Sequence, residues 1–146
     1  MAIKDLLKKF LAPTAPSTTQ QYHFDPVFVH GEQFILAAGT SSKQSSLKEL
    51  GAGPHSFLLI PELDNKHDAK AVKVEGVHRG SSIDVGFLPS GTPTQESIHA
   101  LGNLMFPQGK VIMVEGDVMN GEAGLTVRLF LPSSAKVKGL EASYKP

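Results

Sequence analysis

The 146-residue sequence predicts a mostly β protein with one or two helices, a small antiparallel sheet closing or strongly bending into a barrel. Three observations lead there. Short segments such as Val72-Lys73-Val74-Glu75 and Ile83-Asp84-Val85-Gly86-Phe87 alternate apolar and polar residues with the period of two that marks a half-buried strand. Links rich in Gly, Pro and Asn punctuate them at short intervals. Only one internal stretch, after Thr92-Pro93, combines a capped start with apolar residues at helical spacing.

Taken in order, residues 1 to about 12 (MAIKDLLKKFLA) place Ile3, Leu6, Leu7, Phe10 and Leu11 at helical spacing with Lys4, Lys8 and Lys9 between them. Lysines interrupt the apolar centre, so the stretch is no signal peptide; it reads as an amphipathic helix that docks a partner or packs on the domain. Residues 13–21 are a Pro/Ser/Thr linker by composition, and the folded part spans 22–132. Pro26 to Leu36 reads as one strand with Gly31 at a bulge or a close backbone approach. Thr40 to Leu50 is a loop or one short helix. Ser56 to Pro61 is a buried strand, followed by a polar cluster and the strand around Val72 and Val74, whose Lys73 and Glu75 should face water. Arg79 to Ser82 turns the chain into the strand Ile83 to Pro89. Thr92-Pro93-Thr94-Gln95-Glu96 opens a helix with a hydroxyl cap, proline at the first turn and an early acid, and Ile98, Leu101 and Leu104 form its apolar stripe. Lys110 to Val118 and Leu125 to Leu131 flank Asn120-Gly121, a hairpin signal. The segment 133–146 is polar and expected to be a flexible tail.

Composition narrows the function. There is no cysteine, which excludes disulfides, thiolate metal sites and a cysteine nucleophile, and fits a cytoplasmic protein. The apolar runs are far short of the roughly 20 residues that cross a bilayer. Net charge is zero, but Tyr22 to Pro132 holds eight Lys or Arg against twelve Asp or Glu, so the folded part is acidic. A protein that coats nucleic acid non-specifically is usually basic. Nucleic-acid binding here requires a local pocket.

The richest chemistry lies in Leu63-Asp64-Asn65-Lys66-His67-Asp68-Ala69-Lys70. An EF-hand loop beginning at Asp64 would have Asp68 and Glu75 as ligands, but Lys66 and Ala69 occupy its third and sixth positions and the flanks read as strands. The six histidines have no i, i+3 or i+4 pair, so no metal and no cofactor are expected. Two readings remain. Asn and Asp can fix a turn through neighbouring amides, and the cluster then either serves the turn alone or presents Asn65, His67 and Asp68 to a polar ligand.

The run Pro61-Glu62-Leu63-Asp64-Asn65-Lys66-His67-Asp68-Ala69-Lys70-Ala71-Val72-Lys73-Val74, with Val85-Gly86-Phe87-Leu88-Pro89 and a helix downstream, resembles the HIRAN domain family over roughly Val27 to Leu131. The resemblance implies a modified OB-like β-barrel that recognises the 3′ hydroxyl end of single-stranded DNA, as an accessory to repair or replication. It further implies that Asn65 and Asp68 hydrogen-bond the terminal sugar or base and that His67 stands at a base-stacking position. Phe34 would be a second aromatic, with Phe87 in the strand beside the motif. Where DNA-binding members of the family carry phosphate-contacting lysines, this chain has Pro89-Ser90-Gly91, so Ser90 would contribute a hydroxyl; Lys66, Lys70 and Lys110 are the nearest cations. Aromatic stacking contributes about 1–3 kcal/mol per base without demanding sequence.

No nucleophile, base and orienting group line up, so the chain is not expected to be an enzyme. The competing reading is a non-catalytic protein-interaction module in which the Asn-x-His-Asp motif is structural. A cleft lined by Phe34, His67 and a lysine would favour a nucleic-acid end; a turn closed on its own backbone would favour the rival.

Overall fold

The computed structural model describes residues 24–146; the expected amino-terminal helix and linker lie outside them. Seven strands form one sheet: β1 (Asp25–Phe28), β2 (Gln33–Leu36), β3 (Gly53–Pro61), β4 (Val72–His78), β5 (Ser81–Phe87), β6 (Lys110–Gly121) and β7 (Gly124–Leu131). Their order is β2-β7-β6-β3-β4-β5, antiparallel throughout, with β1 added parallel to β6. Three helices accompany the sheet: α1 (Gln44–Leu50), α2 (Pro93–Met105) and α3 (Ser134–Glu141). The mostly β expectation holds.

β3 shows why its sequence is an unbroken apolar run. Phe57 and Leu59 enter the main core with Val72, Val74, Val85, Val114 and Leu129. Leu58 and Ile60 point to the other face and form a second cluster with Phe24 and Val111. A strand covered on both faces has no solvent side to mark with polar residues. β4 is covered likewise, against the expectation that its polar residues face water. Lys73 and Glu75 are only 6% and 7% exposed. They pair at 3.0 Å, and Ser82 Oγ donates to Glu75 Oε1 at 2.5 Å.

The single strand expected over Pro26 to Leu36 is two. The chain follows β6 as far as the bond from Val29 N to Met113 O, then crosses to β7. Gly31 makes the close approach: a Cβ there would lie 2.2 Å from the carbonyl carbon of Leu131. The β6–β7 hairpin is present, but its two loop residues are Glu122 and Ala123, because Asn120 and Gly121 still pair with Leu125 and Gly124. Gly124, at φ 117°, supplies the conformation that closes this turn.

The helices seal the concave side. In α2, Thr92 Oγ1 accepts from Gln95 N with Pro93 at the first turn, as its sequence predicts. Ile98, Leu101 and Met105 face the core, Met105 taking the place expected of Leu104. α3 corrects the expected flexible tail. Ser133 caps it by accepting from Lys136 N, and Val137 is buried in the main core with Leu140 and Tyr144 packed against it.

The sheet is not closed into a barrel, and its edges meet at one point. Ala38 N donates to Phe87 O at 2.7 Å and Phe87 N to Ala38 O at 2.9 Å. The β4–β5 register shifts between Val74 and Glu75, leaving Val85 as an extra residue that bends β5 towards this contact. In the Ala38–Phe87 register the next pair would set Leu36 opposite Pro89. Proline has no N–H to donate, so the ladder stops there.

Candidate functional site

The polar motif forms the loop between β3 and β4, closed at its base by the bond from Glu62 N to Ala71 O at 2.8 Å. Asn65 organises its turn. Its Oδ1 accepts from both His67 N and Asp68 N at 2.9 Å, and its Nδ2 donates to Glu62 Oε1 at 3.3 Å. Asp68 Oδ1 accepts from Lys70 N at 3.0 Å, and Ala71 N donates to Asp68 O at 3.1 Å. Short side chains with acceptors close to the main chain are what such a turn requires.

A residue that sequence reasoning missed ties this loop to a second one. Gln95, in the first turn of α2, is 1% exposed. Its Nε2 donates to Asp68 Oδ2 at 2.6 Å, while its Oε1 accepts from Gly91 N at 2.9 Å. One buried amide thus holds the 64–70 loop against the Pro89–Thr92 turn. Gln95 appears in the sequence only as an unremarkable helix residue, since its partner lies 27 positions away. His99 supports the loop from below: Asn103 Nδ2 lies 3.2 Å from its Nδ1, and its Nε2 lies 3.4 Å from Glu62 O.

Asn65, His67, Asp68, Lys70 and Ser90 therefore share one rim. His67, Lys70 and Ser90 are exposed on it, and Asn65 and Asp68 are half-buried. Lys70 Nζ pairs with Glu96 Oε1 at 3.1 Å with both side chains about half exposed, a contact worth about 0–1 kcal/mol. Phe87 stands beside the rim, at the bridge to Ala38, and Leu88 N donates to Val72 O at 2.9 Å just beyond the motif. Phe34 belongs to a different cluster. Its ring meets Phe130 edge-on at 4.9 Å with the Arg128 guanidinium 4.9 Å from its centre, on β2 and β7. Lys110 lies 5.6 Å from the Tyr144 ring, at the start of β6.

The rim is a turn bonded to its own backbone, carrying exposed polar groups. Clefts open elsewhere: one of about 330 Å³ near Ser56, Asp117 and Phe130, another of about 200 Å³ between β1 and α3 near Val27, Met105 and Tyr144. Among the described residues no three His, Asp or Glu side chains gather as metal ligands, and no helix is long and apolar enough to cross a membrane. Of the EF-hand ligands weighed above, Asp68 accepts one donor on each oxygen, from Lys70 N and Gln95 Nε2, and Glu75 is paired with Lys73 on the strand β4.

Asn65→Ala should release the amides of His67 and Asp68 together. We expect a loss of about 1 kcal/mol in urea unfolding, since one half-buried and one exposed amide lose their acceptor. Faster hydrogen exchange at those two amides should accompany it.

Comparison with protein-family models, with curated proteins and with solved structures finds no match.

Proposed function

We propose that this chain is a non-catalytic recognition module of the HIRAN type. In this reading its sheet is an opened OB-like barrel, and it binds the free 3′ hydroxyl end of single-stranded DNA at the rim of the 64–70 loop and the Pro89–Thr92 turn, as an accessory to repair or replication. The observation that carries the reading is the preset Asp68 carboxylate. Each of its oxygens already receives one donor, from Lys70 N and from Gln95 Nε2, which fixes its direction. A carboxylate oxygen offers two acceptor sites, so each can take a second donor. A terminal hydroxyl supplies that donor; a terminal phosphate brings a like charge instead. The exposed His67 ring beside it can stack on the last base. With Glu62, Asp64 and Glu96 nearby, binding is weak and lost quickly as salt rises.

The test is fluorescence anisotropy at low salt with oligonucleotides ending in 3′ hydroxyl or 3′ phosphate. The hydroxyl end should bind at least tenfold more tightly, about 1.4 kcal/mol. His67→Ala is the informative variant, because only the backbone of His67 takes part in the loop's described bonds. It should weaken binding by about tenfold or more while leaving thermal stability unchanged. Equal affinity for the two ends overturns end recognition.

A second reading, the protein-interaction module, is favoured by the use of Asn65 Oδ1 on two backbone amides and by the separation of Phe34 from the rim cluster. In that case the motif serves the fold alone, and folded protein binds neither oligonucleotide.

A further inference from the structure

One cation of the rim is already engaged. Lys70 Nζ meets Glu96 Oε1 at 3.1 Å, and the two side chains are 54% and 55% exposed. Each partner is placed by its own main chain. Lys70 N donates to Asp68 Oδ1 at 3.0 Å, which anchors the lysine beside the carboxylate that takes the hydroxyl end in the reading above. Glu96 lies in the first turn of α2, where the helix dipole favours a negative side chain, and its N–H donates to Thr92 O at 3.1 Å. Gln95 ties Asp68 to the same turn of helix. Loop and helix therefore bring ammonium and carboxylate together next to Asp68 before any ligand arrives.

The pair matters for what the rim refuses. A free ammonium beside Asp68 would attract phosphate wherever a strand offered it, at an end or within the chain. It would also offset the repulsion between Asp68 and a terminal phosphate monoester, which carries about 1.5–2 negative charges near neutral pH. A hydroxyl end gains less from such a cation, since its own donor satisfies Asp68 directly. Paired with Glu96, the ammonium adds no net charge at this spot. Any phosphate drawn to it meets the Glu96 carboxylate as well.

We infer that Glu96 is a specificity-determining residue of the rim. By holding Lys70 it denies phosphate a cation beside Asp68 and leaves the free hydroxyl as the group the site accepts. The inference rests on the end-binding reading of the same rim and deepens it. A half-exposed ion pair is weak, so Glu96 acts by position more than by strength: it keeps a like charge where a phosphate would have to settle. Asp64 provides the comparison. It is exposed on the same loop and carries the same charge, but among the described residues it holds no lysine.

Fluorescence anisotropy of the full chain at low salt, with oligonucleotides ending in 3′ hydroxyl or 3′ phosphate, tests it. Glu96→Gln keeps the side chain's size and the main-chain bond to Thr92, so the variant should remain folded by circular dichroism. It should cut the preference for the hydroxyl end from about tenfold to about threefold or less, chiefly by tightening the phosphate-ended strand. Adding Lys70→Ala to Glu96→Gln should restore the wild-type preference, because no ammonium is left to release. Asp64→Asn should leave the preference as it is in wild type. A wild type that binds both ends equally removes the site and this inference with it. A hydroxyl preference that survives Glu96→Gln, stays lost in the double variant, or falls equally in Asp64→Asn overturns the inference alone and leaves end recognition standing.

Discussion

Gly86→Ala should part the two edges of the sheet. Gly86 sits at φ 145°, where L side chains are strained, and a Cβ would fall 2.4 Å from Ala38 O. That oxygen accepts from Phe87 N, so the new methyl cannot be accommodated without separating Ala38 from Phe87. Overpacking against backbone combined with a disallowed φ places the expected loss at about 3–5 kcal/mol in chemical denaturation. Amide exchange at Ala38 and Phe87 should rise in the native state as well. Gly91→Ala is the control: its φ is 77° but nothing lies within 4 Å of the added carbon, so only about 1 kcal/mol of backbone strain is expected. If the two variants lose equal stability, the close approach is not what makes Gly86 necessary.

Gln95→Leu is the second large effect. It keeps bulk in a site that excludes water but leaves Asp68 Oδ2 and Gly91 N without their partner. Losing two bonds at once, one of them to a carboxylate, should cost about 2–4 kcal/mol. Gln95→Glu should cost at least as much, because it brings a second carboxylate against Asp68. The specific sign is local: Gly91 should lose exchange protection, and the 64–70 loop and the turn should respond as one unit. A Leu variant within about 0.5 kcal/mol of wild type would mean that the rim is held by something other than this amide.

Where local rules governed, the sequence was readable. Thr92-Pro93 announces α2 because caps act within one turn, and Ser56 to Pro61 announces a covered strand because its side chains leave no polar face. The Asn65–Asp68 turn follows from short side chains whose acceptors lie beside their own main chain. What stayed hidden depends on distant chain. Lys73 and Glu75 alternate with Val72 and Val74 as any half-exposed strand would; only packing across the opposite face reveals that they are buried and paired. Gln95 is one polar residue among several at the helix start until the fold brings Asp68 to it. The segment carrying α3 is polar on average, and its sparse apolar positions, Val137, Leu140 and Tyr144, acquire meaning only when α2 and β1 provide a surface. The division between β1 and β2 likewise follows from Gly31 lying against Leu131, at the far end of the sequence.

The parallel pairing of β1 with β6, and the pairing of β2 with β7, also govern when the molecule can assemble. The β3–β4–β5 meander joins neighbours in sequence and can form as soon as it is synthesised. The first two strands have no place in the sheet until β6 and β7 have been synthesised, because those are their partners. Such long-range closure makes folding slow relative to a helical bundle of the same length. Until it happens, Val29, Ile35 and Ala37, which the finished fold covers, are exposed to other nascent chains nearby, and completion of β6 and β7 shields them.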